Sequence, residues 1–527
     1  MSSFWAERII EQARAHDRNK KRIIVRDEKT ASGRVHVGSL RGVVLHGAVS
    51  DELARDGVPH TFLYEINDFD PMDGLPTSLD QDTYRPYLGF PLCAVPSPDG
   101  RAKNYAEYFG GEFIGVIREL GYTPEFYRSS DAYRAGKYDA VIKTALEHAE
   151  AIREIYRRVS GSEKEEHWLP LNVVCEKCGK VSTTRATAFD GELVTYSCGD
   201  FVDWTRGCGH SGKVSPFHGN AKLPWKVEWA AKFTVFDVAI EGGGKDHSTK
   251  GGSRDIADHI SREVFKREPP QNIPYEFFHI KGKKMSSSKG AGMSAREIAD
   301  LLPPHLLRFL MLYKDPARVI DFDPTAETIP ILYDFYDSYA KDFWEGKTDD
   351  FSKLFRLAHA PSDTAHLTKR FLPRFSEVAY LVQMPHLDLL KEVEKMAGRE
   401  LTASDKAEAE ERGRYAKLWL TTYAPEKYKF EIQKELPEVA KHFGEAERLA
   451  LTRVCALLES NPSLDGQTLH TRLHELKTEL GIKPHQFFGA LYLSILGKES
   501  GPKAGWFLSV LQRDFLLKRL HEAAVEK

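Results

Sequence analysis

The chain has 527 residues, 41% of them hydrophobic and 29% charged, with a formal net charge of -3. That composition belongs to a globular protein of about three domains and excludes a disordered or fibrous chain; near-neutrality means that any nucleic-acid partner must be met by locally gathered basic residues. No apolar run reaches the roughly 18 residues of a membrane span, residues 1–14 carry no signal-peptide core, and six cysteines are too few for a disulfide scaffold, so a cytoplasmic protein without membrane association is expected.

In chain order, residues 4–15 read as a short amphipathic helix and residues 22–26 (Arg-Ile-Ile-Val-Arg) as a buried strand. A polar stretch with two glycines follows over 27–38. Residues 40–47 then read as a helix with small residues on its packing face, and 61–66 as a second strand. Strand, glycine-containing loop, helix and strand make a βαβ unit of a nucleotide-binding sheet. Residues 92–223 form a long insertion with a helical part over 137–159. The sheet is expected to resume over 225–240 and to continue through 275–280. Beyond 294 the chain turns helical: 297–302, a stop at Pro303 and Pro304, then 305–313. From about 350 onward no strand pattern appears; 379–396 and 505–525 carry helical spacing, and Gly497 to Pro502 has the punctuation of a loop. The expected fold is therefore α/β: a Rossmann-type parallel-sheet catalytic domain with a zinc-ribbon-containing insertion, then an all-α region. The expected boundaries are 1–91 and 224–293 for the two halves of the catalytic domain, and 92–223 for the insertion, with its ribbon at about 170–215. A helical connecting domain over 294–350 and a helical domain over 351–527 follow.

Two segments carry the chemistry. After the first strand comes Ser32-Gly33-Arg34-Val35-His36-Val37-Gly38-Ser39. A helix N-terminus there offers backbone N–H groups and the positive end of a dipole to phosphate, with Gly33 and Gly38 allowing close approach and His36 able to donate to ATP. Some 250 residues on comes Lys284-Met285-Ser286-Ser287-Ser288-Lys289-Gly290. Its lysines can hold the β- and γ-phosphates and stabilise departing pyrophosphate, while the serines and glycine let the loop close. Between them, Gly242-Gly243-Gly244-Lys245-Asp246-His247 follows an apolar strand, so that Gly244 admits ribose and Asp246 accepts from its hydroxyls. Asn67-Asp68-Phe69-Asp70 ends the second strand, where ligands of open α/β sheets bind, and its acids suit a cationic substrate.

Cys175-x-x-Cys178 forms a knuckle, with Cys198 and Cys208 downstream, a set that reads as a structural Zn²⁺ site. The second half is irregular, and His210 is an alternative fourth ligand. Four thiolates leave no open position for catalysis.

The two loops in that order resemble the HIGH and KMSKS signatures of class I aminoacyl-tRNA synthetases. The serine-rich lysine loop, Ser39 at the last HIGH position, the cysteine ribbon and the helical tail together resemble the class I lysyl-tRNA synthetase family. Thr30 and Ser32 match the Thr and Ser of the family's Thr-Pro-Ser-Gly stretch, Ala31 replaces its proline, and Glu28 stands where the family often has glycine. The resemblance implies lysine, ATP with Mg²⁺, and tRNA(Lys) as substrates, with His36, Lys284 and Lys289 as the catalytic group. It implies ATP contacts from Ser32, Gly33, Gly38, Ser39, Gly244, Asp246 and the Met285, Ser286, Ser287 and Ser288 run. It also implies a lysine pocket that includes Thr30, Trp225 and His247, to which the nearby acids Glu28 and Asp68 are added. A pocket for lysine needs a carboxylate for each ammonium and an aromatic wall for the methylenes. The resemblance further implies a ribbon that meets the tRNA acceptor end and a helical cage for the anticodon; a monomer is expected. A glutamyl-like enzyme would want a basic pocket, for which Arg26 and Arg34 are candidates. A non-catalytic tRNA-binding paralogue would lack the need for both loops, and a tRNA-independent adenylyl transferase would lack the large helical tail.

Overall fold

The structure is a computed structural model that describes residues 4–16, 21–284, 292–363, 367–384 and 386–525. It divides into two compact units, Met1–Phe322 with Ser338–Leu367, and Asp323–Asp337 with Thr368–Lys527.

The first unit is built on a parallel sheet. Strand β1 (Ile23–Thr30) pairs in parallel with β2 (His60–Asn67), and β2 with β3 (Glu125–Arg128). On the other edge of β1, Arg26 N–H donates to the Ile240 carbonyl at 3.0 Å and Ile240 N–H to the Ile24 carbonyl at 3.1 Å. Residues 239–241 in turn bond the next segment: Gln271 N–H donates to Ala239 at 2.9 Å and Glu241 N–H to Gln271 at 3.1 Å. The sheet thus runs β3, β2, β1, residues 239–241, residues 271–275, with the reversal beside β1 that opens a ligand crevice in doubly wound folds.

Helix α1 (Trp5–His16) precedes the sheet, and helix α2 (Ser39–Arg55) connects β1 to β2 and is buried along most of its length. Its glycines let it sit close to its neighbours. A Cβ on Gly47 would lie 2.3 Å from the Tyr122 ring, and one on Gly42 would lie 2.8 Å from the Tyr275 hydroxyl and 3.0 Å from Asp27 Oδ2. β1 extends four residues past the buried run expected from sequence, and this brings Glu28 and Thr30 onto the sheet's carboxyl edge.

One expectation is corrected. The sheet does not resume over 225–240: Trp225–Val235 is an α-helix, and only the residues around Ile240 join the sheet. Val227, Glu228, Trp229, Ala230, Ala231, Lys232 and Phe233 are all buried, so this helix has no polar face to reveal its period. The insertion carries helices Asp139–Glu147 and Ala149–Ser160 and then an antiparallel ribbon of Thr184–Phe189, Val194–Cys198 and Ser211–Val214.

The second unit is helical among its described residues from Phe375 onward. Helices Glu445–Ser460, Gly466–Glu479, Pro484–Leu496, Ala504–Val510 and Arg513–Ala524 enclose a core that includes Leu451, Val454, Leu473, Phe487, Leu491, Phe507 and Leu520.

Candidate active site and metal centre

The loop after β1 is fixed to the segment that follows the lysine loop. Val37 N–H donates to the Met293 carbonyl at 2.9 Å, Ala295 N–H donates to Val35 at 2.8 Å, and His36 bridges Ser294 in antiparallel fashion. Two stretches some 250 residues apart therefore share one piece of backbone pairing. Lys283–Lys284 pairs with Phe278–Ile280, which itself runs parallel to Ile320–Phe322, so the backbone of Lys284 enters the loop from a strand. Met285, Ser286, Ser287, Ser288, Lys289 and Gly290 lie outside the described residues.

Around His36 the backbone is closely packed. The Ser32 carbonyl accepts from the Tyr105 hydroxyl at 3.0 Å, and a Cβ on Gly33 would sit 3.0 Å from the Pro76 ring. The first-turn N–H groups of Ser39, Leu40 and Arg41 bond the carbonyls of His36, Val37 and Gly38, a tightened turn, so phosphate would compete with these bonds rather than meet unbonded donors. Gly38 is the N-cap of α2 and has no side chain to fill the position. Across the crevice, Gly243–Gly244 pairs with Pro274–Tyr275, and Gly244 caps the turn Lys245–Ser248 that carries Asp246 and His247. The Gly242 N–H donates to His46 Nε2 at 2.7 Å while His46 Nδ1 bonds the Gly42 carbonyl at 2.7 Å, which assigns the proton to Nδ1 and clasps this loop onto α2.

On β1 the side chains alternate between faces. Asp27 lies 3.8 Å from His46 on the α2 side, and burial raises its carboxyl above the usual range. Arg26, Glu28 and Thr30 take the other face and meet a buried ionic cluster. Arg26, fully buried, bonds Glu241 at 2.7 Å, Glu65 at 2.5 Å, the Tyr127 hydroxyl at 2.8 Å and Glu28. Lys232 reaches Glu28 at 2.6 Å, Glu65 at 2.9 Å and Glu228 at 3.4 Å. Burial alone would raise the Glu28 carboxyl, but Lys232 and Arg26 overcome it and hold it far below the usual carboxylate range.

The sequence-derived pocket residues do not all meet. Thr30 donates to Asp70 Oδ2 at 2.9 Å, and Asp70 pairs with Lys222 at 3.0 Å. Trp225 stacks on Trp229 at 6.0 Å and 22°, with the His247 ring edge-on to both at 5.5 Å and 5.9 Å. Asp68 points elsewhere: its carboxylate accepts from Ser129 at 3.0 Å and from Ser130 Oγ at 2.7 Å and N–H at 2.8 Å, so Asp70 is the acid placed beside Thr30. Sequence reasoning gave no role to Trp229, Lys222, Lys232 or Glu241. The period-two spacing of Arg26, Glu28 and Thr30 was the available signal that these three share a face. Arg26 meets four acidic or phenolic groups, and Arg34 pairs with Glu112 at 3.1 Å, so neither presents a basic pocket.

The four cysteine sulfurs all lie within 4.8 Å of one another, with Cys175 to Cys208 and Cys178 to Cys198 each at 3.7 Å. A tetrahedron with metal–sulfur bonds of about 2.3 Å has edges of about 3.8 Å, so the set fits a tetrahedral ion. His210 stands outside the set: its carbonyl accepts from Cys198 N–H at 2.7 Å and its ring packs edge-on to Tyr196 at 6.0 Å. No described helix is long and apolar enough to cross a membrane.

Comparison with known proteins gives the same picture from a separate direction. The family model described as tRNA synthetases class I (K) matches residues 2–362, and that of an anticodon binding domain matches residues 421–524. A lysine--tRNA ligase of Methanosarcina barkeri is 34% identical over 516 residues, covering 94% of this chain and 93% of the relative. One from Archaeoglobus fulgidus is 33% identical over 495 residues, covering 93% and 94%, and one from Thermoplasma volcanium is 32% identical over 528 residues, covering 98% of each. With a parallel sheet that brings the loop around His36 to the segment following the lysine loop, and with relatives aligned along nearly its whole length, the chain belongs to the family of class I tRNA synthetases (K).

Proposed function

We propose that this protein ligates L-lysine to tRNA(Lys) with consumption of ATP. The observation that carries the reading is the gathering of acids and aromatic rings on one face of β1, set beside the loop at His36, whose backbone is pinned to residues 293–295. In the first step a substrate carboxylate oxygen bonds the α-phosphorus of MgATP and the bond to the β-phosphate oxygen breaks, giving lysyl-adenylate and pyrophosphate. His36, Lys284 and Lys289 stabilise charge on the phosphates as it develops. In the second step the terminal ribose 2′-hydroxyl of tRNA attacks the acyl carbonyl, AMP leaves with the bonding electrons, and the hydroxyl proton passes to the departing phosphate or solvent. No protein nucleophile is needed. Ser32, Gly33, Gly38, Ser39, Gly244, Asp246 and the Met285 to Ser288 run serve ATP; Glu28, Thr30, Trp225 and His247 serve lysine.

Cys175, Cys178, Cys198 and Cys208 hold Zn²⁺, which cross-links the ribbon and leaves no coordination position for substrate. The ribbon-bearing insertion, 92–223, serves the acceptor end, 294–350 the stem and 351–527 the anticodon. The protein works in the cytoplasm as a monomer. Lysine-dependent exchange of labelled pyrophosphate into ATP, run with and without tRNA, tests the reading: exchange with lysine that requires tRNA is expected, and exchange with glutamate instead would contradict it.

A further inference from the structure

Among the described residues, eight side chains form one ion-pair network beneath the pocket. Arg26 meets Glu28, Glu65 and Glu241; Lys232 meets Glu28, Glu65 and Glu228; Lys222 meets Glu228 and Asp70. Five carboxylates face three cations, an excess of two negative charges. Uncompensated charge in a site of this depth is costly, so the network is electrostatically incomplete as it stands.

The deficit has an address. Glu65 Oε2 accepts from Arg26 and Tyr127 while its Oε1 faces the Lys232 ammonium at 2.9 Å. Glu228 accepts from Tyr133 on Oε1 at 2.8 Å and meets Lys222 on Oε2 at 2.7 Å. Glu241 differs: Oε1 accepts from both Arg26 and Trp229 Nε1 at 2.7 Å, while Oε2 is buried and has no hydrogen-bond partner among the described residues. The Glu241 side chain is 2% exposed, against 30% for Glu28 and 21% for Asp70. Glu241 therefore lies deep against the Trp229 indole, and Asp70 lies nearer the surface beside Thr30.

We infer that Glu241 Oε2 takes the side-chain ammonium of the substrate and Asp70 its α-ammonium, so that the two ammonium groups of a diammonium amino acid offset the network's two excess negative charges. The polarity follows from the chemistry: the substrate carboxylate must stay at the mouth to reach ATP, so the far end of the molecule points inward, with its methylenes along Trp229 and Trp225. Glu28, already engaged by two cations, is a positioning residue that holds Lys232 and Arg26 against the buried acids. This assignment rests on lysine being the substrate.

The test is tRNA-supported pyrophosphate exchange with lysine and with norleucine, which keeps the methylene chain and lacks the distal ammonium. The readout is the ratio of kcat/KM for the two within each variant, so that loss of folded protein cancels. Glu241→Gln is expected to lower the lysine preference by about a hundredfold or more, with KM for ATP unchanged. Glu228→Gln, whose two oxygens are already engaged, is expected to shift the preference by less than about fivefold even where it lowers stability. A Glu241→Gln enzyme that keeps the wild-type preference overturns the inference alone. A wild-type enzyme that shows no lysine-dependent exchange but activates another amino acid overturns the proposed substrate along with it.

Discussion

Lys232 concentrates the energetics of the site at the residue scale. It is buried and meets Glu28, Glu65 and Glu228, so a neutral side chain of similar size would leave three carboxylates without their shared cation. Lys232→Met is expected to destabilise the protein by about 3–5 kcal/mol, measured by denaturant unfolding; an unchanged midpoint would contradict the network. Glu28 makes a pH prediction. Its carboxyl is held low in the folded protein despite partial burial, because Lys232 and Arg26 favour the charged form. Its contribution is therefore complete above the unfolded value of about 4.3 and drains away as pH falls from there through the lowered native value. The stability difference between wild type and Glu28→Gln, followed from pH 7 downward to about pH 3, is expected to hold steady to about pH 5 and then shrink. A difference that grows on acidification would contradict the ion pairs. The cluster itself was invisible in the sequence. Arg26 and Glu241 are 215 positions apart and Lys232 and Glu28 are 204 apart, so only the fold shows that they touch. Asp70 rather than Asp68 stands beside Thr30 because Ser129 and Ser130 bind the Asp68 carboxylate, a pairing across the β2–β3 edge that no local pattern announces.

The ribbon and the helix pairs make their predictions at the scale of elements. The sulfur positions fit a single ion per chain, and metal analysis of the purified protein is expected to find about one zinc, reduced in Cys178→Ser. Chelation is expected to open Thr184–Phe189 and Val194–Cys198 to protease, since Ala186, Val194 and Tyr196 form the buried side of the ribbon. A metal-free ribbon that resists protease equally would contradict a structural role. In the helical unit, Gly466–Glu479 and Ala504–Val510 pack at backbone contact: a Cβ on Gly505 would lie 2.3 Å from His470 N and 2.5 Å from the Gly466 carbonyl. Gly505→Ala is expected to cost about 1–3 kcal/mol in thermal unfolding. Elements with bounding turns were legible: β1, α2, β2 and the helices on either side of Pro303 begin close to where the sequence puts them, although β1 and α2 run four and eight residues further. The helix Trp225–Val235 was not, because burial on all sides erases the polar stripe that distinguishes a short apolar helix from a buried strand.

Over the whole molecule, function is set by what the sheet gathers from distant parts of the chain. The loop at His36, the glycine loop at Gly243–Gly244 and residues 293–295 meet near the carboxyl edge of a parallel sheet, beside the strand-order reversal at which doubly wound folds bind ligands. The two motifs were legible because their residue types, in that order along the chain, resemble the paired signatures of the family. The buried ion-pair network was not, because it is assembled from β1, β2, the helix after Pro224 and the segment before Gly242. The central claim is that this architecture charges tRNA with lysine through an adenylate. The most direct measurement is aminoacylation of total tRNA with each of the twenty amino acids and MgATP, run in parallel for the wild type and for Lys284→Ala combined with Lys289→Ala. The account predicts charging with lysine alone, reduced by about a thousandfold or more in the double variant. Charging with glutamate, or tRNA binding with no charging by any amino acid, would contradict it.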